Sequence, residues 1–116
     1  MTDKIKALSA ELARFARERE WEQFHTPKNL AMALSVEASE IVEIFQWLTE
    51  EQSRNLPPEK AQHLREELAD TFTFLLKLAD HYGIDLIEAA HQKLKKNAEK
   101  YPVEKARGSA KKYDEL

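Results

Sequence analysis

Apolar residues recur along most of this chain at intervals of three and four positions, the period of an α-helix that buries one face. Few stretches alternate in the manner of a β-strand, and only two glycines and four prolines interrupt the pattern. The predicted class is therefore all-α, with four helices forming a bundle. We predict these helices over residues 3–20, 27–48, 58–81 and from 85 to just before 102.

Residues with special backbone preferences mark the ends of the predicted helices. Thr26-Pro27 has the form of an N-cap followed by a proline at the first helical position. Gly83 is placed to close the third helix in a left-handed conformation. Residues 49–57 are predicted to form a polar loop.

The length of the chain indicates how many cores it can build. With 116 residues it is large enough for one hydrophobic core but not for two. We expect a single domain over 1–116, with its helical core at about 3–101. The remaining residues, 102–116, have no helical stripe and are predicted to form a polar tail that is extended or partly mobile.

Two pairs of acidic residues have the same i, i+3 spacing in the second and third predicted helices: Glu37 with Glu40, and Glu67 with Asp70. Residues three apart share a helix face, so each pair can direct both carboxylates toward one point. Glu37 and Glu67 each fall at the margin of an apolar arc, and the second acid of each pair lies about 60° further round. The two arcs are Leu30, Leu34, Ile41, Phe45 and Leu48, and Leu64, Leu68, Leu75 and Leu78.

If the two acidic pairs face each other, four carboxylates share one cleft at the edge of the core. Such a cluster repels itself and is costly to desolvate unless a cation holds it. Ligand sets made only of oxygen favour hard ions, above all Mg²⁺, with Mn²⁺ as a substitute. The alternative interpretation is a solvated acidic surface, which is common in a chain with 34% charged residues.

Composition excludes several classes of function. The absence of cysteine excludes disulfides, zinc–thiolate sites and cysteine nucleophiles. A formal charge of −3 and a pI near 5.8 give no basic footprint for nucleic acid. No stretch has the length and apolarity of a membrane span, and the charged N-terminus lacks the pattern of a secretory signal. We expect a cytoplasmic protein that binds neither nucleic acid nor membranes.

Aromatic residues cluster before the second predicted helix, where Trp21, Phe24 and His25 lie, and Trp47 ends that helix. Such rings either fill a core or form a slot that stacks on a flat heterocycle. Val42 and Trp47 lie outside the main apolar arc, and a helix apolar over so wide an angle needs more than one partner. We therefore predict a homo-oligomer in which the second and third helices are partly buried between subunits.

A basic stripe follows the fourth predicted helix, where Lys93, Asn97 and Lys100 recur at i, i+4 and i+7 beside Tyr101. One interpretation is a solvated basic face, since cations are favourable near the C-terminal ends of helices. The other is a set of donors to phosphate oxygens. Together with a carboxylate cluster that binds a metal and an aromatic slot, these donors describe a site for a nucleotide polyphosphate.

In order and spacing, these motifs resemble the MazG-like, all-α NTP pyrophosphohydrolases, and more closely their dCTP pyrophosphatase branch. The resemblance runs from about Phe15 to the C-terminus. Two positions depart from the branch: Phe74 replaces a tyrosine, and Leu12 stands where some members carry a histidine near the base. The matching segments are Trp21-Glu-Gln-Phe24-His25-Thr-Pro27-Lys-Asn29-Leu30, Glu37-Ala-Ser-Glu40, Phe45-Gln46-Trp47, Glu66-Glu67-Leu-Ala-Asp70, Lys93-x-x-x-Asn97-x-x-x-Tyr101-Pro102 and Ala106-Arg107-Gly108-Ser109-x-Lys111-Lys112-Tyr113.

The resemblance implies a four-helix fold assembled as dimers or tetramers. It implies Mg²⁺-dependent hydrolysis of a (d)NTP, dCTP or a related or modified dNTP, to (d)NMP and pyrophosphate, with a role in nucleotide-pool sanitation. Our own hypothesis is that water attacks the α-phosphorus and that Glu40 orients or deprotonates it, since Glu37 is better placed for a purely ligating role. The residue roles implied are metal binding and catalysis by Glu37, Glu40, Glu67 and Asp70, base binding by Trp21, His25 and Trp47, and phosphate or sugar binding by Lys93, Asn97, Lys100 and Tyr101.

A competing hypothesis explains the wide apolar face without any chemistry. In it the protein is a non-catalytic helical module, either an oligomeric adaptor or a nucleotide-binding protein without turnover. It predicts no Mg²⁺ dependence, or binding of a nucleotide without formation of product.

Overall fold

The computed structural model describes residues 3–116, and all regular structure within them is helical. Four long helices occupy the predicted positions, so the predicted all-α class is confirmed. The helices are α1 (Asp3–Glu18), α2 (Pro27–Phe45), α3 (Glu50–Arg54), α4 (Pro58–His81), α5 (Leu86–Lys100) and α6 (Val103–Ala106), with 3₁₀ turns at Glu22–Phe24 and Tyr113–Glu115.

The start of α2 and the end of α4 are formed as the sequence predicts. Thr26 Oγ1 accepts a hydrogen bond from the backbone N–H of Asn29 at 3.3 Å, and Pro27 takes the first helical position. Gly83 adopts a left-handed φ of 64° immediately after α4. The N–H of Ile84 then bonds to the carbonyl of Ala79 at 2.9 Å, which completes a Schellman motif.

Two boundaries between α2 and α4 differ from the prediction. Helix α2 ends at Phe45 rather than at 48, because Leu48 N–H bonds to Phe45 O in a tighter turn. The predicted loop over 49–57 contains the short helix α3. Thr49 and Gln52 begin this helix with a capping box, each side chain bonding to the backbone N–H of the other residue.

The tail beyond α5 is more ordered than the predicted extended segment. It contains α6 and a 3₁₀ turn, and the Tyr113 ring lies 6.2 Å from that of Tyr101 in an edge-to-face contact. Lys100 Nζ lies 4.9 Å from the Tyr113 ring centroid. Ring contacts of this kind are not encoded in helical periodicity, so the sequence pattern misses them.

The main packing contact joins α2 to α4, and α1 packs against α4 less extensively. Leu30 and Ile44 are buried on α2, and Ala16 is buried on α1. Leu76, on α4, has no exposed surface. Helix α5 has no buried residue and makes only isolated contacts with the other helices among residues 3–116. The site therefore depends on the α1, α2 and α4 layer.

The chain exposes more surface than a compact monomer of its size. Its accessible surface is 9303 Å², against about 6,500 Å² expected for a monomer of this mass. Leu68 and Leu75 belong to the predicted core arc, yet Leu68 is 51% exposed and Leu75 is also exposed. Both leucines lie outside the contact between α2 and α4, because α2 packs on the side of α4 that carries Glu67. Within residues 3–116, no helix is long and apolar enough to cross a bilayer.

Candidate functional site

The two acidic pairs meet where α2 lies against α4. Glu37 of α2 approaches Asp70 of α4, and Leu30 of α2 borders the same cavity as Lys77 of α4. Because residue numbers rise along one helix as they fall along the other, the two helices are antiparallel. This arrangement puts the two i, i+3 pairs opposite each other, as the sequence predicts.

Three of the four acids converge closely enough to share one ion. Carboxylate oxygens of Glu37, Glu67 and Asp70 lie within 4.8 Å of one another. Only 9% of Glu67 is exposed, Glu37 is half-buried, and Asp70 is open to solvent. Glu40 is half-buried beside Glu37 and Glu67 but is not one of the three converging ligands. The cluster is thus closed on the protein side and open at Asp70.

Two buried oxygens in this cluster have no partner. Oε2 of Glu37 and Oε2 of Glu67 are both buried and accept no hydrogen bond from any residue in the described range 3–116. A buried carboxylate oxygen without a donor is costly. A hard cation supplies what these oxygens lack, so the donor set fits Mg²⁺ or Mn²⁺.

Mutual repulsion within the cluster changes its protonation. Burial raises the pKa of Glu37 to about 7, helped by hydrogen bonding to Glu40 and Glu67 and by the charges of Glu40 and Asp70. The pKa of Glu40 is also raised, first by hydrogen bonding to Glu67. Near neutral pH the metal-free cluster therefore tends to hold a proton. A metal ion would displace it, because carboxylate ligands bind metal in their ionised form.

His63 contacts the acidic cluster, although none of the motifs described above includes it. Its Nε2 lies 3.3 Å from Oε1 of Glu67, one helical turn further along α4. The contact fixes one oxygen of Glu67 and leaves the other, Oε2, without a partner. The i, i+4 spacing of His63 and Glu67 was the available signal.

A cavity of about 350 Å³ lies further along the α2–α4 contact, bordered also by α1. His25, which we expect near the base, lines it. Burial lowers the pKa of His25, and the nearby Lys77 charge lowers it further. The imidazole is therefore neutral at pH 7 and can both donate and accept a hydrogen bond.

The other candidate residues do not meet in one place within the chain. Trp21 lies near the His25 end of α2, with its ring 5.8 Å from that of Phe15. Trp47 follows the opposite end of α2 and is 87% exposed. Lys93, Asn97, Lys100 and Tyr101 lie on α5 or at its end, outside the acidic cluster and the cavity.

The comparison with protein families and curated proteins agrees with the motifs. A family model described as MazG-like matches residues 32–116. Similar proteins include dCTP pyrophosphatase 1 of Mus musculus, 44% identical over 116 residues, and dCTP pyrophosphatase 1 of Homo sapiens, 41% identical over 116 residues. Each alignment covers 98% of this chain and 66% of the relative, so the chain spans about two thirds of their length.

A solved structure has the same fold. It is a pyrophosphatase from Archaeoglobus fulgidus, with a TM-score of 0.81 and 37% sequence identity. The match covers 88% of this chain and 95% of the archaeal one. At this identity and coverage the two chains share their helical architecture.

Proposed function

Because the chain belongs to the MazG-like family, we propose that it is a nucleoside triphosphate pyrophosphohydrolase. Its substrate is a (d)NTP, dCTP or a related or modified dNTP, and its products are (d)NMP and pyrophosphate. The observation that supports this most strongly is the convergence of Glu37, Glu67 and Asp70, with two buried oxygens lacking partners. The proposed role is nucleotide-pool sanitation in the cytoplasm. We propose that residues 1–116 form a single domain that carries this activity.

The proposed cofactor is Mg²⁺, with Mn²⁺ as a substitute. Glu37, Glu67 and Asp70 would hold it, with Glu40 beside them. When bound, such ions neutralise charge on the phosphates and lower the pKa of bound water. The acidic cluster then attracts a polyanion that it would otherwise repel.

Glu40 is the proposed group that orients and deprotonates the attacking water. It lies beside the converging ligands without being one of the three, and hydrogen bonding to Glu67 raises its pKa, which makes its carboxylate a stronger base. The water oxygen forms a bond to the α-phosphorus while the bond from that phosphorus to the bridging oxygen breaks. The proton passes to the Glu40 carboxylate, and pyrophosphate leaves.

The base is proposed to occupy the cavity beside His25, with Trp21 at its edge. Trp47 lies at the other end of α2, so its contribution to base binding requires a second copy of the chain. The same holds for the phosphate donors on α5, Lys93, Asn97, Lys100 and Tyr101. A homo-oligomer, dimer or tetramer, accounts for both separations.

Exposed apolar surface supports this oligomer. Leu68, Phe72 and Leu75 form an exposed apolar face on α4, and Val42 adds an exposed apolar residue on α2. Large exposed apolar patches commonly mark sites of protein–protein interaction. The radius of gyration, 17.8 Å, also exceeds the value of about 13 Å for a compact domain of this length.

The decisive experiment is product analysis with dCTP, dTTP, dATP and dGTP in the presence of Mg²⁺. We expect monophosphate and pyrophosphate from at least one substrate, and no turnover in EDTA. Orthophosphate as the product would indicate cleavage at a different bond. Binding without any product would favour the non-catalytic module.

A matched pair of variants tests the metal site. Glu67→Gln removes the charge of a buried ligand and should abolish turnover while the circular dichroism spectrum stays near that of the wild type. Glu66→Gln makes the same change at an exposed neighbour on α4 and should leave turnover unchanged. Saturating Mg²⁺, at about 100 times its Kd, should stabilise the wild type by about 2.7 kcal/mol and leave Glu67→Gln almost unaffected.

A further inference from the structure

Two polar groups that line the cavity between α1, α2 and α4, the Lys77 ammonium and the Ser9 hydroxyl, have no hydrogen-bond partner among residues 3–116. The apolar lining of this cavity includes Leu12, Ala16 and Leu30. Lys77, Ser9 and His25 are among the polar residues that line it. A cavity of about 350 Å³ with apolar lining and several polar groups has the character of a small-molecule site.

Lys77 is a half-buried cation without an anionic partner. Among residues 3–116, no hydrogen bond or ion pair joins its ammonium group to another side chain, and its nearest recorded partner is the Phe74 ring, 5.8 Å from Nζ. Burial lowers the pKa of Lys77, as expected where the charged form loses its hydration. A cation placed in this way is costly unless a ligand supplies an acceptor.

The neighbours of Lys77 leave its ammonium group without an acceptor. His25 and Ser9 line the same cavity, but in the described part of the chain neither makes a hydrogen bond to Lys77. Glu22 and Asp80 border the cavity but are exposed to solvent. The missing component is therefore an acceptor on the ligand, placed against the Lys77 side of the cavity.

The position of the cavity defines which part of a nucleotide would fill it. Leu30 precedes Glu37 by seven residues on α2, and Lys77 follows Asp70 by seven residues on the antiparallel α4. Seven residues of helix correspond to about 10 Å. A nucleotide with its α-phosphate at the acidic cluster would have its sugar across this interval and its base in the cavity.

We propose that Lys77 is a specificity-determining residue that donates a charge-assisted hydrogen bond to a carbonyl oxygen of the nucleobase. This inference rests on the proposed function and adds the substrate class to it. Cytosine, uracil, thymine and guanine each carry a ring carbonyl, and adenine carries none. The site therefore selects deoxynucleoside triphosphates with a carbonyl on the base and disfavours dATP.

The test compares Lys77→Met with the wild type on dCTP and dATP. Methionine keeps an unbranched apolar stem of similar length and removes only the ammonium group. We expect kcat/KM for dCTP to fall about 10- to 100-fold, the range for losing a hydrogen bond to a charged group. The loss should appear mainly in KM, because base binding is the same in the ground and transition states. The value for dATP should change less than about threefold, since adenine offers Lys77 no carbonyl.

Two further variants separate recognition from structure. Lys6→Met removes a charge from an exposed position on α1 and should leave both substrates unaffected. Lys77→Arg keeps a cation and should restore part of the preference for dCTP. A reduction that is equal for dCTP and dATP in Lys77→Met, or no reduction at all, would overturn the inference while leaving the hydrolase activity in place.

A binding measurement keeps the inference testable if the wild type shows no turnover. Calorimetric titration with dCMP and with dAMP should show tighter binding of dCMP to the wild type and loss of that preference in Lys77→Met. In that outcome the proposed hydrolysis fails and the role of Lys77 stands. A wild type that binds both monophosphates equally would contradict the role of Lys77.

Discussion

At the scale of single residues, the main electrostatic feature is the group of carboxylates between α2 and α4. Glu37 and Glu67 are withdrawn from solvent next to Glu40 and Asp70, and each has a buried oxygen without a donor. Such an arrangement lowers the stability of the metal-free protein, because carboxylates are desolvated beside like charges. The cost is consistent with a binding site, where function and not stability selects the residues.

The raised pKa of Glu37 gives a pH-dependent prediction for the protein in EDTA. Because its folded-state pKa is about 7, above the ordinary value of 4.5, the folded state holds the proton more tightly than the unfolded state does. The resulting stabilisation is complete below about pH 4.5 and is lost as the pH rises to about 7. Glu37→Gln stays neutral, so its melting temperature relative to the wild type should rise over this interval.

The control for that prediction is Glu43→Gln, an exposed position on the same helix. The difference in melting temperature between Glu43→Gln and the wild type should not change over the same pH interval. Glu37→Gln should also lose the stabilisation by Mg²⁺ that the wild type gains. A melting-temperature difference that stays constant from about pH 4.5 to pH 8 would contradict the proposed burial of Glu37 in its cluster.

At the scale of secondary-structure elements, short-range signals at the ends of α2 fix which residues face α4. Thr26 caps the helix, and Asn29 Nδ2 donates a hydrogen bond to Phe24 O at 3.0 Å, which ties the preceding 3₁₀ turn to the helix. The same two contacts position His25, which lies between Phe24 and Thr26 at the edge of the cavity. The contacts that stabilise the start of α2 thus also set the position of His25 in the site.

Removing the cap should therefore weaken the whole fold. Thr26→Ala deletes the acceptor of the Asn29 N–H, and the free energy of unfolding should fall by about 1 kcal/mol. Thr26→Ser keeps a hydroxyl and should retain most of the wild-type value. Urea denaturation monitored by circular dichroism measures both, and equal stability of the two variants would show that this cap makes no contribution.

At the scale of the whole molecule, the single chain leaves apolar faces without a partner. Leu68, Phe72 and Leu75 line one exposed face of α4, and α5 has no buried residue. A polar or charged residue would ordinarily occupy such positions in a monomer. The arrangement favours assembly, with the faces of α2 and α4 that do not touch each other as the contact surfaces.

Disrupting the apolar face of α4 tests this assembly. Leu68→Glu places a charge on this face, where burial between subunits would be costly. We expect sedimentation at micromolar concentration to show an oligomer for the wild type and a monomer for Leu68→Glu. Ala10→Glu adds the same charge at an exposed position on α1 and should not change the oligomeric state. A wild type that sediments as a monomer would remove the proposed oligomer.

The helices and the acidic pairs were predictable because each depends on neighbours within one or two turns. Caps such as Thr26 and the left-handed Gly83 act on the adjacent residues, so their sequence signals are sufficient. The spacing that puts Glu37 beside Glu40 is likewise a property of one helix. The short helix α3 was missed although its capping box, Thr49 to Gln52, is a local signal of the same kind.

Other features of the site needed the fold. The convergence of α2 and α4 decided that Glu37, Glu67 and Asp70 meet, and that Leu68 stays exposed. No sequence motif marks the role proposed for Lys77, because residues of α1 and of the start of α2, distant in the chain, form its environment.

The sequence by itself determined that the chain is helical, where its long helices lie and which faces carry acids, since helix formation and amphipathic order are set by interactions a few residues apart. Only the tertiary structure decided which faces meet, which oxygens lose their partners and which cation is left in a cavity. Those outcomes depend on contacts between residues distant in the chain, where packing fixes the desolvation that gives each charged group its chemistry.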